Sequence, residues 1–174
     1  LSKPVLDFFH SADHVVANVE GALIDAEEAG AAGEFVHYMD PAVTRVLKAM
    51  QADIWAIGNN HIMDAGKAGL VSTRKIAADM GYQTVGAGLN EEEASQPVYL
   101  EEAGGIGIIN VTHVIKRQAT DTTPGVLNWG NWPRIQARID EIKQTCRWCV
   151  VVCHGGEEFT SLPSPYTRER YLKF

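Results

Sequence analysis

The chain has no run of about 18 apolar residues, so nothing in it reads as a membrane-spanning helix. It also lacks a dense stripe of lysine and arginine. Its 15 basic residues are scattered among 22 acidic ones, for a formal net charge of -7. That balance argues against a nucleic-acid partner. A highly anionic substrate would have to be met by metal ions rather than by a basic surface. Cysteine is sparse: Cys146, Cys149 and Cys153 are an odd count, crowded together, and give no evidence for a disulfide framework. A Cys-x-x-Cys pair can hold zinc or perform redox chemistry, but no second pair completes a zinc site here. Cys149 and Cys153 fall inside the apolar run Trp148–Cys153, which reads as a buried strand with inert thiols. There is no internal repeat and no low-complexity tract. The start, Leu1-Ser-Lys-Pro4, has neither an initiator methionine nor a signal-peptide pattern, and Tyr166–Phe174 looks like a helix cut in progress. The expectation is a fragment of a longer protein, truncated at both ends.

What is present suits one globular domain over residues 1–174, with 45% hydrophobic and 21% charged residues. Strands are predicted at His14–Val19, Asp53–Ile57, Gln83–Val85 and Trp148–Cys153. Pro97–Glu101 and Gly107–Val111 read as a hairpin across Ala103-Gly-Gly105. Asp40-Pro41 starts a helix whose Val43, Val46, Leu47 and Met50 share one face. A second helix runs from Gly66 to Met80 and stops at Gly81; Asn90 caps a short turn; a third helix runs from Pro133 to Thr145 on Ile135, Ile139 and Ile142. Ala22–Gly33 and Lys116–Asn131 read as loops. Strands alternating with helices predict an α/β layered domain, in which ligands bind beyond the carboxyl ends of the strands.

Three polar clusters fall at such ends, and they could meet along one edge of a sheet. Asn18-Val-Glu20 places an amide and a carboxylate on one side of a strand, as metal ligands or as a solvated strand end. Gly58-Asn-Asn-His-Ile-Met-Asp64 follows a buried strand. Adjacent asparagines suit a turn, yet His61 can ligate a metal or donate a proton near neutral pH. Asp64 could orient that imidazole, cap the next helix, or do both. We favour function over turn chemistry here. His154-Gly-Gly-Glu-Glu158 closes the last strand with a nitrogen donor, backbone that allows close approach, and carboxylates.

Asn-x-Glu, Gly-Asn-Asn-His-x-x-Asp-x-Gly and His-x-Gly-x-Glu-aromatic, in this order, resemble the bacterial CapA-type proteins of capsule and poly-gamma-glutamate synthesis, within the calcineurin-like metallophosphoesterase superfamily. Ala12-Asp13, Gly86-Ala-Gly-Leu-Asn90, Ala94, Pro97, Pro163 and Pro165 add to a likeness that covers nearly the whole chain. The resemblance implies a metallophosphoesterase-like fold of mixed sheets flanked by helices. It implies divalent metal ions, two in the complete protein, with manganese, iron and zinc equally suited to the donors. Asn18, Glu20, Asn60, His154 and Glu158 would serve the metals, with Glu20 bridging. His61, backed by Asp64, would be the catalytic proton donor or phosphate contact. Implied partners are an anionic polymer or phosphoester substrate and membrane-bound polymer synthesis proteins, at a membrane-associated, extracytoplasmic location. The alternative is a non-catalytic polymer-binding or scaffold component. Two family motifs, an initial Gly-Asp strand and a late Gly-His-x-Pro-His, have no counterpart in this chain, so the metal site is expected to be incomplete.

Overall fold

The computed structural model describes residues 1–30, 36–102, 104–114, 116–157 and 159–174. Helix α1 (Lys3–His10) opens with Pro4 in its first turn, where the missing N–H is no loss, and buries none of its residues. Strands β1 (Val16–Asn18) and β2 (Ala22–Leu23), the short helix α2 (Ala26–Gly30) and strand β3 (Tyr38–Met39) follow. The Asp40 carboxylate accepts the Ala42 N–H and starts a tight turn over Pro41–Val43 that continues as α3 (Thr44–Ala49). Next come β4 (Ile54–Ala56), α4 (Gly66–Asp79), β5 (Gln83–Val85), β6 (Ala87–Gly88) and α5 (Glu91–Ser95). The chain ends with β7 (Val98–Leu100), β8 (Ile106–Thr112), β9 (Gly125–Val126), α6 (Trp132–Thr145), β10 (Trp148–His154) and α7 (Pro165–Tyr171).

One sheet is parallel, in the order β1-β4-β5. A second three-stranded sheet has the order β10-β8-β7, with β8 and β10 parallel and β7 antiparallel, and β2-β3 and β6-β9 form two-stranded ribbons. Side chains alternate across each strand, and that alternation sets the layers. Ile54 and Ala56 of β4 join Val85, Val98, Leu100 and Ile108 in the seam between the sheets. Trp55 and Ile57, on the opposite face, pack with Leu70 and Ala77 of α4. On β8, Ile109 and Val111 turn away from the seam toward Ile135, Ile139 and Ile142 of α6. The stack is therefore helix, sheet, sheet, helix: one parallel and one mixed sheet flanked by helices, in keeping with the layered fold that the resemblance implies. Three-residue strands hold little by backbone pairing alone, whereas each fully buried isoleucine or leucine contributes roughly 1.5–3 kcal/mol.

One polar side chain stands in the seam. Asn110 lies two residues beyond Ile108 on the same face of β8 and is 1% exposed. Its Oδ1 accepts the Gly58 N–H at 2.6 Å, while its Nδ2 donates to the Val152 carbonyl of β10 at 3.0 Å and to the Gly58 carbonyl at 3.3 Å. A single carboxamide thus ties the exit of β4 to β8 and β10. Gly58 and Gly86 make room for it. A Cβ at Gly58 would lie 2.6 Å from Asn110 Oδ1 and one at Gly86 2.3 Å from it, and Gly86 also has φ +100°.

The structure corrects several sequence expectations. The strand Trp148–Cys153 is not buried: Trp148 is 56% and Val150 41% exposed, and Cys149 and Cys153 are half-buried. Ala22–Gly33 is not simply an exposed loop: within its described part, β2 and α2 form, and Ala22, Leu23, Ile24 and Ala29 are buried. The Leu23 N–H donates to Thr73 Oγ1 at 2.8 Å, pinning β2 to α4. A strand of two residues is too short to leave an alternating signal, and small alanines fit beneath a helix without forming an apolar stripe. Lys116–Asn131 is irregular for most of its length, yet it contains β9, paired with β6, and buries Val126, Leu127 and Trp129. Ala103, in the hairpin turn, lies outside the described residues. Among the described residues no helix is long and apolar enough to cross a membrane.

Asn110→Ala leaves buried backbone groups at Gly58 and Val152 without partners and opens a void. It is expected to lower the unfolding free energy by about 2–4 kcal/mol in equilibrium urea unfolding. A loss within about 0.5 kcal/mol, typical of a surface change, would contradict this role.

Candidate functional site

β1 and β4 pair with Asn18 opposite Ala56, so the segments leaving them emerge side by side. β10 ends at His154, level with Thr112 of β8 in the other sheet. The three polar clusters therefore converge where two stacked sheets end, rather than along one edge of a single sheet. Stacking, which alternation alone does not specify from sequence, brings His154 to the first sheet.

A second buried carboxamide fixes the loops. Asn59, 1% exposed, accepts through Oδ1 from the N–H groups of Ile62 at 2.9 Å, His61 at 3.2 Å and Gly21 at 3.3 Å. Its Nδ2 donates to the Val19 carbonyl at 2.8 Å. Of the two adjacent asparagines, Asn59 lashes the exits of β1 and β4 together, and Asn60 is left exposed at the site.

A cleft of about 490 Å³ results, lined by Glu20, Asn60, His61, His113 and His154 among others. His154 Nε2 donates to Asn60 Oδ1 at 2.8 Å, and Glu20 Oε1 stands 3.9 Å from the same nitrogen. Asn18 reaches the site through Glu20, donating from Nδ2 to Glu20 Oε2 at 3.3 Å. Burial lowers the His154 pKa; the Glu20 charge opposes this and His61 adds to it, and the net effect is downward. At neutral pH the ring is therefore neutral, the form that can ligate a metal.

His61 sits beside this group with its Nδ1 on Asp64 Oδ2 at 2.8 Å and its ring against that of His37, the two tilted by 31° with centroids 4.5 Å apart. Asp64 also accepts the His37 backbone N–H at 3.1 Å and pairs with the Arg117 guanidinium. Burial pushes the Asp64 carboxyl upward, but the hydrogen bonds from His61, from the His37 N–H and from Arg117 outweigh it, so its pKa falls below the usual value. Asp64 does not cap α4, whose N-cap is Ala65 without any side-chain bond. Of its two alternatives, the structure places it with the imidazole.

Glu158 lies outside the described residues. Its neighbour Glu157 also lines the cleft, but accepts from the Ser164 N–H at 3.1 Å, Thr167 Oγ1 at 2.7 Å and the Ser164 hydroxyl. The bonds from Ser164 and Thr167 lower its pKa to about 2, so this carboxylate is committed to the start of α7. Burial pushes Cys149 upward and Cys153 up to about 11, which keeps both thiols protonated and inert at neutral pH.

Three residues at the site escaped the sequence reading, His37 among them, which meets His61 and Asp64 from the segment before β3. His113 lines the cleft and stacks on Trp129 at 4.5 Å; it directly follows β8 as His154 ends β10, and that parallel was the available signal. Arg117 lies in the segment read as a loop, and nothing in its sequence context points to Asp64, 53 positions away.

The donor chemistry suits a divalent cation: a carboxylate oxygen from Glu20, an amide oxygen from Asn60 and an imidazole nitrogen from His154. Among the described residues no group of three His, Cys, Asp or Glu side chains is placed to hold a metal ion, so a three-donor site here would need the amide.

A family model described as bacterial capsule synthesis protein PGA_cap matches residues 1–173. The chain is 28% identical over 167 residues to the PGA biosynthesis protein CapA of Bacillus subtilis (strain 168), covering 92% of this chain and 43% of that protein. It is 26% identical over 173 residues to the capsule biosynthesis protein CapA of Bacillus anthracis, covering 94% of this chain and 42% of that protein. The chain thus spans less than half the length of these curated relatives.

Because the native Asp64 pKa is depressed, the ionised carboxylate adds stability above its unfolded value of about 3.9, and that stability is lost as pH falls through the lower native value. The urea midpoint of wild type should therefore exceed that of Asp64→Asn at neutral pH, with the gap closing as the solution is acidified below about pH 4. A gap that does not change with pH would contradict the ionised Asp64 contacts.

Proposed function

The chain belongs to the bacterial capsule synthesis protein family PGA_cap, and from that premise we propose that its cleft is a metal-dependent phosphoesterase-like site serving capsule or poly-gamma-glutamate synthesis. The observation that carries this reading is the convergence of Glu20, Asn60 and His154 beside a histidine held by a carboxylate. Glu20, Asn60 and His154 would hold one divalent ion, with Asn18 steadying Glu20; the family resemblance implies a second ion in the complete protein. A bound ion would supply Lewis acidity toward a phosphoryl oxygen and acidify water.

The chain's own groups supply the rest. Asp64 accepts from His61 Nδ1, which leaves Nε2 as the nitrogen that can pass a proton to a leaving oxygen when the ring is doubly protonated, returning it to the neutral form. The His37 ring and the Asp64 bond fix the plane of that imidazole, so its proton needs no reorientation during transfer. The neutral ring of His154 carries one proton, which Nε2 donates to Asn60, so Nε2 would take a cation once that proton sits on Nδ1 and the hydrogen bond has opened.

A second reading is favoured by a specific observation: only two strongly ligating side chains, Glu20 and His154, meet among the described residues. On that reading the cleft binds the acidic groups of a polymer without cleaving it, as a scaffold component beside membrane-bound synthesis proteins.

In the complete protein, Glu20→Ala and His61→Ala should each lower manganese-dependent hydrolysis of bis(p-nitrophenyl) phosphate by about 100-fold or more. Wild-type rates in either variant would overturn the catalytic assignment. Saturable binding of polyglutamate by wild type with no hydrolysis of any phosphodiester would favour the scaffold.

A further inference from the structure

The geometry points to a second anion-binding subsite at Lys116 and Arg117, continuous with the first cleft. This inference rests on the reading of the Glu20–Asn60–His154 cleft as the place where one acidic group of the ligand is held. A second cleft of about 460 Å³ is lined by Asn60, His113, Val114, Lys116 and Arg117. Asn60 and His113 also line the first cleft, so the two form one trough with a shared wall.

Apart from the pair Arg74-Lys75, basic residues are scattered over a chain of net charge -7, and two adjacent cations lining this trough are a local inversion of the surrounding charge. Lys116 is exposed. Arg117 spends Nη1 on Asp64, yet its side chain remains 46% exposed, and a guanidinium carries five N–H donors. The Asp64 contact therefore anchors the fork without exhausting it.

The backbone is built to hold Arg117 there. Arg117 has φ +71°, a left-handed conformation that an L side chain rarely adopts. It is kept by pairing with the β6–β9 ribbon: the Arg117 carbonyl accepts the Val126 N–H at 3.1 Å, and the Ala119 N–H donates to the Val126 carbonyl at 2.9 Å. Strain of this kind persists only where neighbouring structure over-determines it, and it clusters at ligand-binding positions.

The ligand class that fits is a linear chain bearing acidic groups in succession, one at the Glu20–Asn60–His154 cleft and the next on Lys116 and Arg117. Carboxylate and phosphate share this chemistry, since both match a guanidinium fork and an ammonium.

The test is calorimetric titration of the complete protein, with manganese present, against two probe pairs: glutamate with tetraglutamate, and orthophosphate with tripolyphosphate. Wild type should bind the longer member at least about tenfold more tightly than the shorter in one pair, and the pair that shows the gain identifies the acidic group. Lys116→Ala should cut that ratio several-fold, and so should Arg117→Ala. Arg117→Lys, which keeps the charge but not the fork, should restore it only in part. Near-ultraviolet circular dichroism of each variant establishes that the fold is retained. A length ratio near one in wild type, or an unchanged ratio in folded Lys116→Ala and Arg117→Ala, overturns the second subsite while leaving the first cleft standing. Absence of binding by all four probes overturns both.

Discussion

Two buried carboxamides hold the cleft together, and the structure depends most on Asn110. It stands in an otherwise apolar seam and joins the exit of β4 to β8 and β10. A polar group so placed is costly unless its bonds are made, so the seam is stable in one register only. Asn59 repeats the device one layer outward, binding the exits of β1 and β4. Gly58 and Gly86 are the steric complement of Asn110, since a methyl group at either would displace it. Sheet stacking and site geometry are consequently one problem: shift the seam, and His154 no longer reaches Asn60.

On that frame the titrating groups are set to different states. Burial keeps His154 neutral, while hydrogen bonds and an ion pair keep Asp64 charged despite its burial. The pattern gives a neutral imidazole at one point and an oriented imidazole a short distance away. Glu157 shows the contrast, because its carboxylate is spent on the start of α7 and is not free to serve the cleft.

Much of this was legible in the sequence, and what was not has physical causes. α4 and α6 are long enough to show an apolar face, and β5 and the β7–β8 hairpin are bounded by glycines and turn residues. The location of the polar clusters at strand ends could be read from apolar runs that stop at Asn18, Gly58 and His154. Their joining across two sheets could not, because it rests on contacts between residues far apart in sequence: Asn110 meets Gly58 across 52 positions. Arg117 was hidden for the same reason, within a segment whose buried Val126, Leu127 and Trp129 show no period. The adjacent asparagines could be read as turn or as site. Burial separates them, with Asn59 structural and Asn60 at the cleft.

The central claim is that Glu20, Asn60 and His154 form the walls of a divalent-cation site at the meeting point of the two sheets. Anomalous diffraction from crystals of the complete protein soaked in manganese chloride addresses it directly. The account predicts an anomalous peak bounded by Glu20 Oε1, Asn60 Oδ1 and His154 Nε2, with the His154–Asn60 hydrogen bond opened to admit the ion. Ordered manganese bound only elsewhere, with that hydrogen bond intact at saturating metal, would contradict it.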